Sequence, residues 1–198
     1  MSREIIFDIE TRNTFHDVGR RDPSALDISV VSIWDSETDK FSSFVMETLD
    51  ELWPIMERAT TLIGYNSEHF DTPLLDKYYP GNLWGLKQID LMKTIQESFG
   101  KRVGLDPVAS ATLGVEKSAH GLQAVEWWKN GEIDKIIQYC EQDVNVTKQL
   151  YEHMRDEQFV LIPDILTGET QKITVNTSDW HSSDDQADSG GMTIGFGF

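Results

Sequence analysis

Apolar residues come in short blocks over the first third of the chain, and their spacing shifts from strand-like to helix-like further on. Residues 4–9 read as a buried first strand, whose apolar run Ile5-Ile6-Phe7 stops at Asp8-Ile9-Glu10-Thr11. Side chains alternate along a strand, so Asp8 and Glu10 share one face while Phe7 and Ile9 share the other. Residues 12–25 are polar, with Gly19, Arg20, Arg21 and Asp22-Pro23, and read as a long loop. Residues 28–34 and 40–46 read as two further strands, joined as a hairpin across the turn at 35–39. Thr48, with Glu51 three residues on, has a capping-box pattern and predicts a helix with Leu52, Ile55, Met56 and Ala59 on one face. Residues 60–65 read as a fourth strand.

Helical spacing then takes over. A turn beginning at Gly64 leads into a helix that reaches Asp76, with Pro73 suited to its first turn. Another helix follows Asp90 and runs to Gly100. Two short ones are predicted over 104–114 and 122–129, and a longer one over 132–155, a stretch with neither proline nor glycine. Residues 159–175 read as a β-hairpin turning at Thr167-Gly168-Glu169. From Asn176 onward there are four acids and no Lys or Arg, and residues 176–198 read as a disordered acidic tail with the apolar tip Phe196-Gly197-Phe198. The element order predicts an α/β fold over residues 1–175, a mixed β-sheet flanked by helices.

Composition narrows the classes. At 198 residues and 39% hydrophobic, the chain is large enough for one well-buried domain with an appendage. Its apolar runs fall far short of a bilayer span and its first residues lack an apolar leader, so neither a membrane segment nor a signal peptide is expected. Cys140 is the one cysteine, which excludes an internal disulfide or a cysteine zinc site and points to a cytoplasmic location. The formal net charge of −17 argues against broad, charge-driven binding to nucleic acid. It is compatible with a metal-filled acidic cleft that touches a few nucleotides, and equally with a salt-tolerant or partner-docked protein.

Three acidic stations carry the candidate chemistry. Two carboxylates on one face of a buried strand repel unless a cation lies between them, and a hard, oxygen-preferring Mg²⁺ or Mn²⁺ suits Asp8 and Glu10. The alternative is a strand end with two acids fraying into solvent. Asp71 stands at a helix start, where free N–H groups and the macrodipole favour an anion, and it serves equally as a plain N-cap. Asn66, at a strand exit, is equally a turn residue. Tyr139 and Asp143 lie four apart and so on one face of the long helix.

Taken together, the order Asp8-x-Glu10, Asn66-x-x-x-Phe70-Asp71 and Tyr139-x-x-x-Asp143 resembles the tyrosine (DEDDy) branch of the DEDD 3′→5′ exonucleases, over residues 4–151. That family has an RNase H-like fold. The central spacing is most similar to the proofreading domains of family-B DNA polymerases and to YprB-type ribonuclease H-like domains. In the histidine branch a His would stand where this chain has Gln138. The resemblance implies two divalent ions, Mg²⁺ or Mn²⁺, with Asp8 bridging both. Glu10 and Asp143 would complete the site that activates water, and Asp71 would hold the second ion through water. Tyr139 would orient the attacking water, since a phenol of ordinary pKa near 10 is a poor base at pH 7. The Thr11 backbone, Asn66 and Phe70 would meet the terminal nucleotide, with core packing the alternative role for Phe70 and for Ile9.

The expected activity is thus a free-standing, metal-dependent 3′→5′ exonuclease on single-stranded DNA or RNA. The alternatives are a YprB-type endoribonuclease, or a nuclease-like accessory module whose tail docks on a partner protein. Other residues have ordinary readings. His120 is a surface or capping histidine, and Lys101, Arg102 and Lys117 are loop cations that could face a phosphate backbone. Trp127 and Trp128 read as one core and one exposed ring, or as a base-stacking platform. Cys140 reads as inert packing.

Overall fold

Alternation along residues 4–11 builds the centre of the fold. The computed structural model describes residues 2–115, 121–164 and 168–180. Its first strand, β1 (Glu4–Thr11), is covered on both faces: Ile5, Phe7 and Ile9 enter one apolar cluster, and Ile6 enters another on the opposite side. β2 (Ile28–Asp35) pairs antiparallel with β1, and β3 (Lys40–Val45) antiparallel with β2. β4 (Thr61–Gly64) and β5 (Lys87–Asp90) add in parallel on the other side, giving the order β3-β2-β1-β4-β5. The mixed sheet flanked by helices is therefore what forms. Parallel neighbours need long crossovers, and these carry the covering helices.

One face is covered by α1 (Phe15–Val18), α2 (Trp53–Met56) and α3 (Asp71–Asp76), which pack Phe15, Met56, Leu74 and Leu75 against Phe7 and Ile9. The other is covered by α4 (Leu91–Phe99), α5 (Leu105–Leu113), α6 (Gly121–Lys129) and the long α7 (Ile133–Glu157). Ile95, Val108, Val144 and Leu150 from this layer meet Ile6 and Ile63. A separate two-stranded sheet, β6 (Phe159–Pro163) with β7 (Thr170–Thr174), forms the expected hairpin. Thr167 of its expected turn lies outside the described residues. Among the described residues no helix is long and apolar enough to cross a membrane.

Several elements depart from the sequence reading for local reasons. The stretch 12–25 is not all loop: Thr14 and Asp17 exchange side-chain and backbone bonds in a capping box that starts α1, and Asp22 caps a 3₁₀ turn at Pro23–Ala25. No helix starts at Thr48, whose hydroxyl instead bonds to Val45. A 3₁₀ segment, Met46–Leu52, precedes α2. Pro54 has no N–H to offer the carbonyl four residues back, so an α-helical ladder cannot run through it. β5 is absent from the sequence reading, since a four-residue strand with one apolar side chain has no period to detect.

The chain also stays packed beyond Asn176. Ser178–Trp180 forms a 3₁₀ turn, the Trp180 ring is buried and stacks on Tyr151 with centroids 5.1 Å apart, and Lys87 Nζ donates to the carbonyls of Asp179 and Trp180 at 2.6 and 2.9 Å. The rest of the expected tail, 181–198, lies outside the described residues. Trp180→Ala is expected to cost about 3 kcal/mol by emptying this site, or a melting temperature lower by about 8 °C. A thermal melt within a degree of wild type contradicts that role.

Candidate metal centre

β1 and β4 stay in register only through Ile6 and Ile63. Beyond that point, at their carboxyl ends, lies a cleft of about 300 Å³ whose walls include Asp8, Glu10, Thr11, Asn66, Phe70 and Asp71. Parallel strands place ligand sites at this end of a sheet. Asp8 and Glu10 share the β1 face that carries Ile6 towards α7, and α7 answers with Asp143. One oxygen from each of Asp8, Glu10 and Asp143 lies within 4.8 Å of the other two.

Asp71 is not the N-cap of α3 but its first residue, after Phe70, and it is buried. It lines the same cleft as Asp8 without joining the close triad. Tyr139, one turn before Asp143 on α7, bonds through its hydroxyl to the Asp143 carboxylate and sets its ring edge-on to Trp127 at 6.1 Å.

The electrostatics describe a site short of positive charge. Burial, opposed in part by bonds from Cys140 and the Ile9 amide, pushes the Asp8 pKa up to about 6. Burial and then the Asp8 charge push Asp143 up to about 7. The same two causes, in the same order, lift Glu10 and Asp71 well above the ordinary carboxylate range. Among the described residues none of these four makes an ion pair. Three clustered carboxylates with Asp71 beside them and no described cationic partner fit a hard, oxygen-preferring divalent ion. Burial, followed by the Asp143 charge, raises the Tyr139 phenol above its ordinary pKa, so it stays a neutral hydrogen-bond donor at pH 7.

The strand exit that carries Asn66 is shaped by residues with no obvious sequence signal. Asn66 has φ 65°, in the left-handed region that Asn tolerates better than most residues. Asp90 holds it there: its carboxylate accepts from the backbone N–H of Asn66 at 2.8 Å and of Glu68 at 3.2 Å, while also capping α4 through Met92 and Lys93. Gly64 lets the turn close, because a Cβ there would lie 2.5 Å from Ser67 Cβ. Gly64→Ala is accordingly expected to displace the Asn66–Asp71 segment, lowering stability by about 2 kcal/mol and cleavage at least tenfold. Unchanged kinetics in that variant would show that the close approach is dispensable.

The remaining candidates take mixed roles. Ile9 is buried core that also reaches the cleft wall. Phe70 is half-buried, edge-on to Phe15 at 6.1 Å. The Thr11 hydroxyl donates to the Asn13 carbonyl at 2.8 Å. Trp127 and Trp128 are not one core and one exposed ring: both are half-buried, and the Arg12 guanidinium lies 5.7 Å from the Trp128 ring centroid. Cys140 is more than packing, since its thiol donates to the Asp8 carbonyl at 3.3 Å and to Asp8 Oδ2 at 3.5 Å. Lys101 and Arg102 are exposed, whereas Lys117 and His120 lie outside the described residues.

Residues 5–155 match the family described as RNase_H superfamily. No curated protein matches the sequence. Among solved structures the chain is similar to the family B DNA polymerase from the hyperthermophilic archaeon Pyrobaculum calidifontis, with TM-score 0.62 and 22% identity, covering 78% of this chain and 25% of that one. The likeness is one of fold, and the chain spans about a quarter of that polymerase. Matched over most of its length and built on the mixed sheet just described, the chain belongs to the RNase H superfamily.

Proposed function

We propose that the chain is a metal-dependent nuclease of the tyrosine DEDD kind that removes nucleotides from the 3′ end of single-stranded DNA or RNA. The observation that carries this reading is the convergence of Asp8, Glu10 and Asp143 within 4.8 Å, beside a buried Asp71 and with no described cation to neutralise them. Asp8, Glu10, Asp71 and Asp143 would hold the divalent ions, two of Mg²⁺ or Mn²⁺. Ions bound there supply water activation, in-line placement and charge neutralisation for phosphodiester hydrolysis.

The chain's own residues do the rest. Tyr139, a neutral donor fixed by Asp143, orients the attacking water. Asn66 and the Thr11 main chain hold the terminal nucleotide, and Phe70 walls the space beside its base. With a net charge of −17, affinity for the polymer comes through the ions and a few local contacts, not through the surface at large. The catalytic unit reaches at least to Trp180, whose ring packs on Tyr151. The segment beyond Trp180 serves a protein partner, and the buried free thiol of Cys140 suits a reducing cytoplasm.

Cleavage of 5′- and 3′-labelled single-stranded DNA and RNA in Mn²⁺ tests the reading. A ladder of one-nucleotide steps from the 5′ label, with only mononucleotide released from the 3′ label, is expected. Internal cuts would make the protein a YprB-type endonuclease, and no cleavage of either polymer would leave the accessory module. Tyr139→Phe is expected to lower kcat by about 10–100-fold, as loss of a group that positions the attacking water does, with Mn²⁺ half-saturation unchanged.

A further inference from the structure

We infer that Arg102 is a substrate phosphate contact at the mouth of the cleft, held in place before the substrate arrives; the inference rests on the nuclease reading above. Arg102 lies in the short connection between α4 and α5. Gly100, at φ 82°, ends α4, and the Tyr65 hydroxyl pins the connection by donating to the Val103 carbonyl at 2.8 Å. Tyr65 itself lines the cleft. From this fixed backbone the Arg102 Nη2 donates to Asn66 Oδ1. Asn66 is in turn locked by Asp90 and lines the cleft together with Asp8 and Asp71. The exposed guanidinium thus bonds a residue of the cleft wall.

Its charge has no carboxylate partner among the described residues, in a chain with 34 acidic residues against 17 basic ones. The nearby Glu68 instead pairs with Lys93 at 2.6 Å. An amide oxygen uses one donor of the fork and leaves the others for an anion, and a phosphate oxygen is the stronger acceptor for a guanidinium. Arg102 also lines two surface hollows, one of about 280 Å³ with Asn66, Glu68, Asp90 and Lys93, and one of about 450 Å³ with Lys101, Val103 and Asp164. A single strand with its end at the acidic centre has a route past this residue. The bound group is therefore a phosphodiester next to the scissile one. Recognition is through charge and the planar fork and is indifferent to base identity.

Steady-state cleavage of single-stranded oligonucleotides by the full chain, over a range of NaCl concentrations, tests this. Arg102→Ala should raise KM about tenfold, as loss of a charge-assisted bond does. It should also make the slope of log(kcat/KM) against log[salt] shallower by about 0.7, the value for one single-strand phosphate contact. Mn²⁺ half-saturation and melting temperature should not move. Arg102→Lys, which keeps the charge and loses the fork, should restore the salt slope and only part of KM. A wild-type salt slope and KM in Arg102→Ala overturn the inference while leaving the nuclease reading intact. So does a variant whose melting temperature or Mn²⁺ dependence falls with its activity, because Arg102 would then be structural. A wild-type chain that cleaves neither polymer overturns the nuclease reading itself, and the inference with it.

Discussion

Asp8→Asn is expected to lower kcat at least about a thousandfold while raising the melting temperature of the metal-free protein. The two effects have one cause. Asp8 stands beside Glu10 and Asp143 in the triad and projects its charge onto Asp71. Without Asp8 the remaining acids cannot share ions between them, and several kcal/mol of transition-state stabilisation are lost, each 1.36 kcal/mol a factor of ten. In the absence of metal the same charge is a liability, because burial and neighbouring acids disfavour it. Asn keeps the shape and an oxygen for the Cys140 thiol, and removes about 2 kcal/mol of strain from repulsion and desolvation, or about 4–8 °C in melting temperature. A variant that is inactive and also less stable in chelator would mean that Asp8 is structural, and retained turnover would remove it from the reaction.

The second large effect is on the pH dependence of stability. Asp8 and Asp143 titrate near 6 and 7 in the folded chain, against about 3.9 for an unfolded Asp. Between these values the folded state binds more protons than the unfolded one, so stability falls as pH rises. The contribution is fully present below about pH 4 and is lost as pH rises through about 6 and 7, with Asp8 alone accounting for about 3 kcal/mol of the loss. Acids held low by bonding partners, such as Asp35 and Asp27, act oppositely below pH 4, so the decline is read between pH 5 and 7.5. Saturating Mn²⁺ should reverse it, adding about 2.7 kcal/mol per site at a hundredfold excess over Kd, and little at pH 5 where protons compete. Melting curves in chelator and in Mn²⁺ check this. The acidic surface also loses stability with pH, so the part owed to the centre is the part that Asp8→Asn removes. A metal-free melting temperature that climbs from pH 5 to 7.5 contradicts the picture.

Much of the centre was legible because it rests on short-range rules. Alternation in β1 put Asp8 and Glu10 on one face and Phe7 and Ile9 on the other. Four-residue spacing in α7 put Tyr139 beside Asp143. The contacts that hold the centre in place were not legible, since they join residues far apart in sequence. Asp90 reads as a helix cap, and nothing local announces that it also holds Asn66 and Glu68, 24 and 22 residues earlier. Cys140 meets Asp8 across 132 residues, and Arg102 meets Asn66 across 36. Trp180 sits in a polar, acidic stretch, and only the Tyr151 ring and the Lys87 amine, both brought by the tertiary fold, give it a place to pack. β5 failed for a different reason: its sequence Lys-Gln-Ile-Asp carries almost no hydrophobic pattern, and it is a strand because β4 offers it a free edge.

In the proposed reading Asp8, Glu10, Asp71 and Asp143 together form a two-ion centre. Calorimetric titration of the full chain with Mn²⁺ at pH 7.5 tests it most directly. Two ions per chain are expected, with the binding lost or halved in Asp8→Asn although that variant stays folded. Absence of Mn²⁺ binding at millimolar concentrations, or an isotherm that Asp8→Asn leaves unchanged, would contradict it.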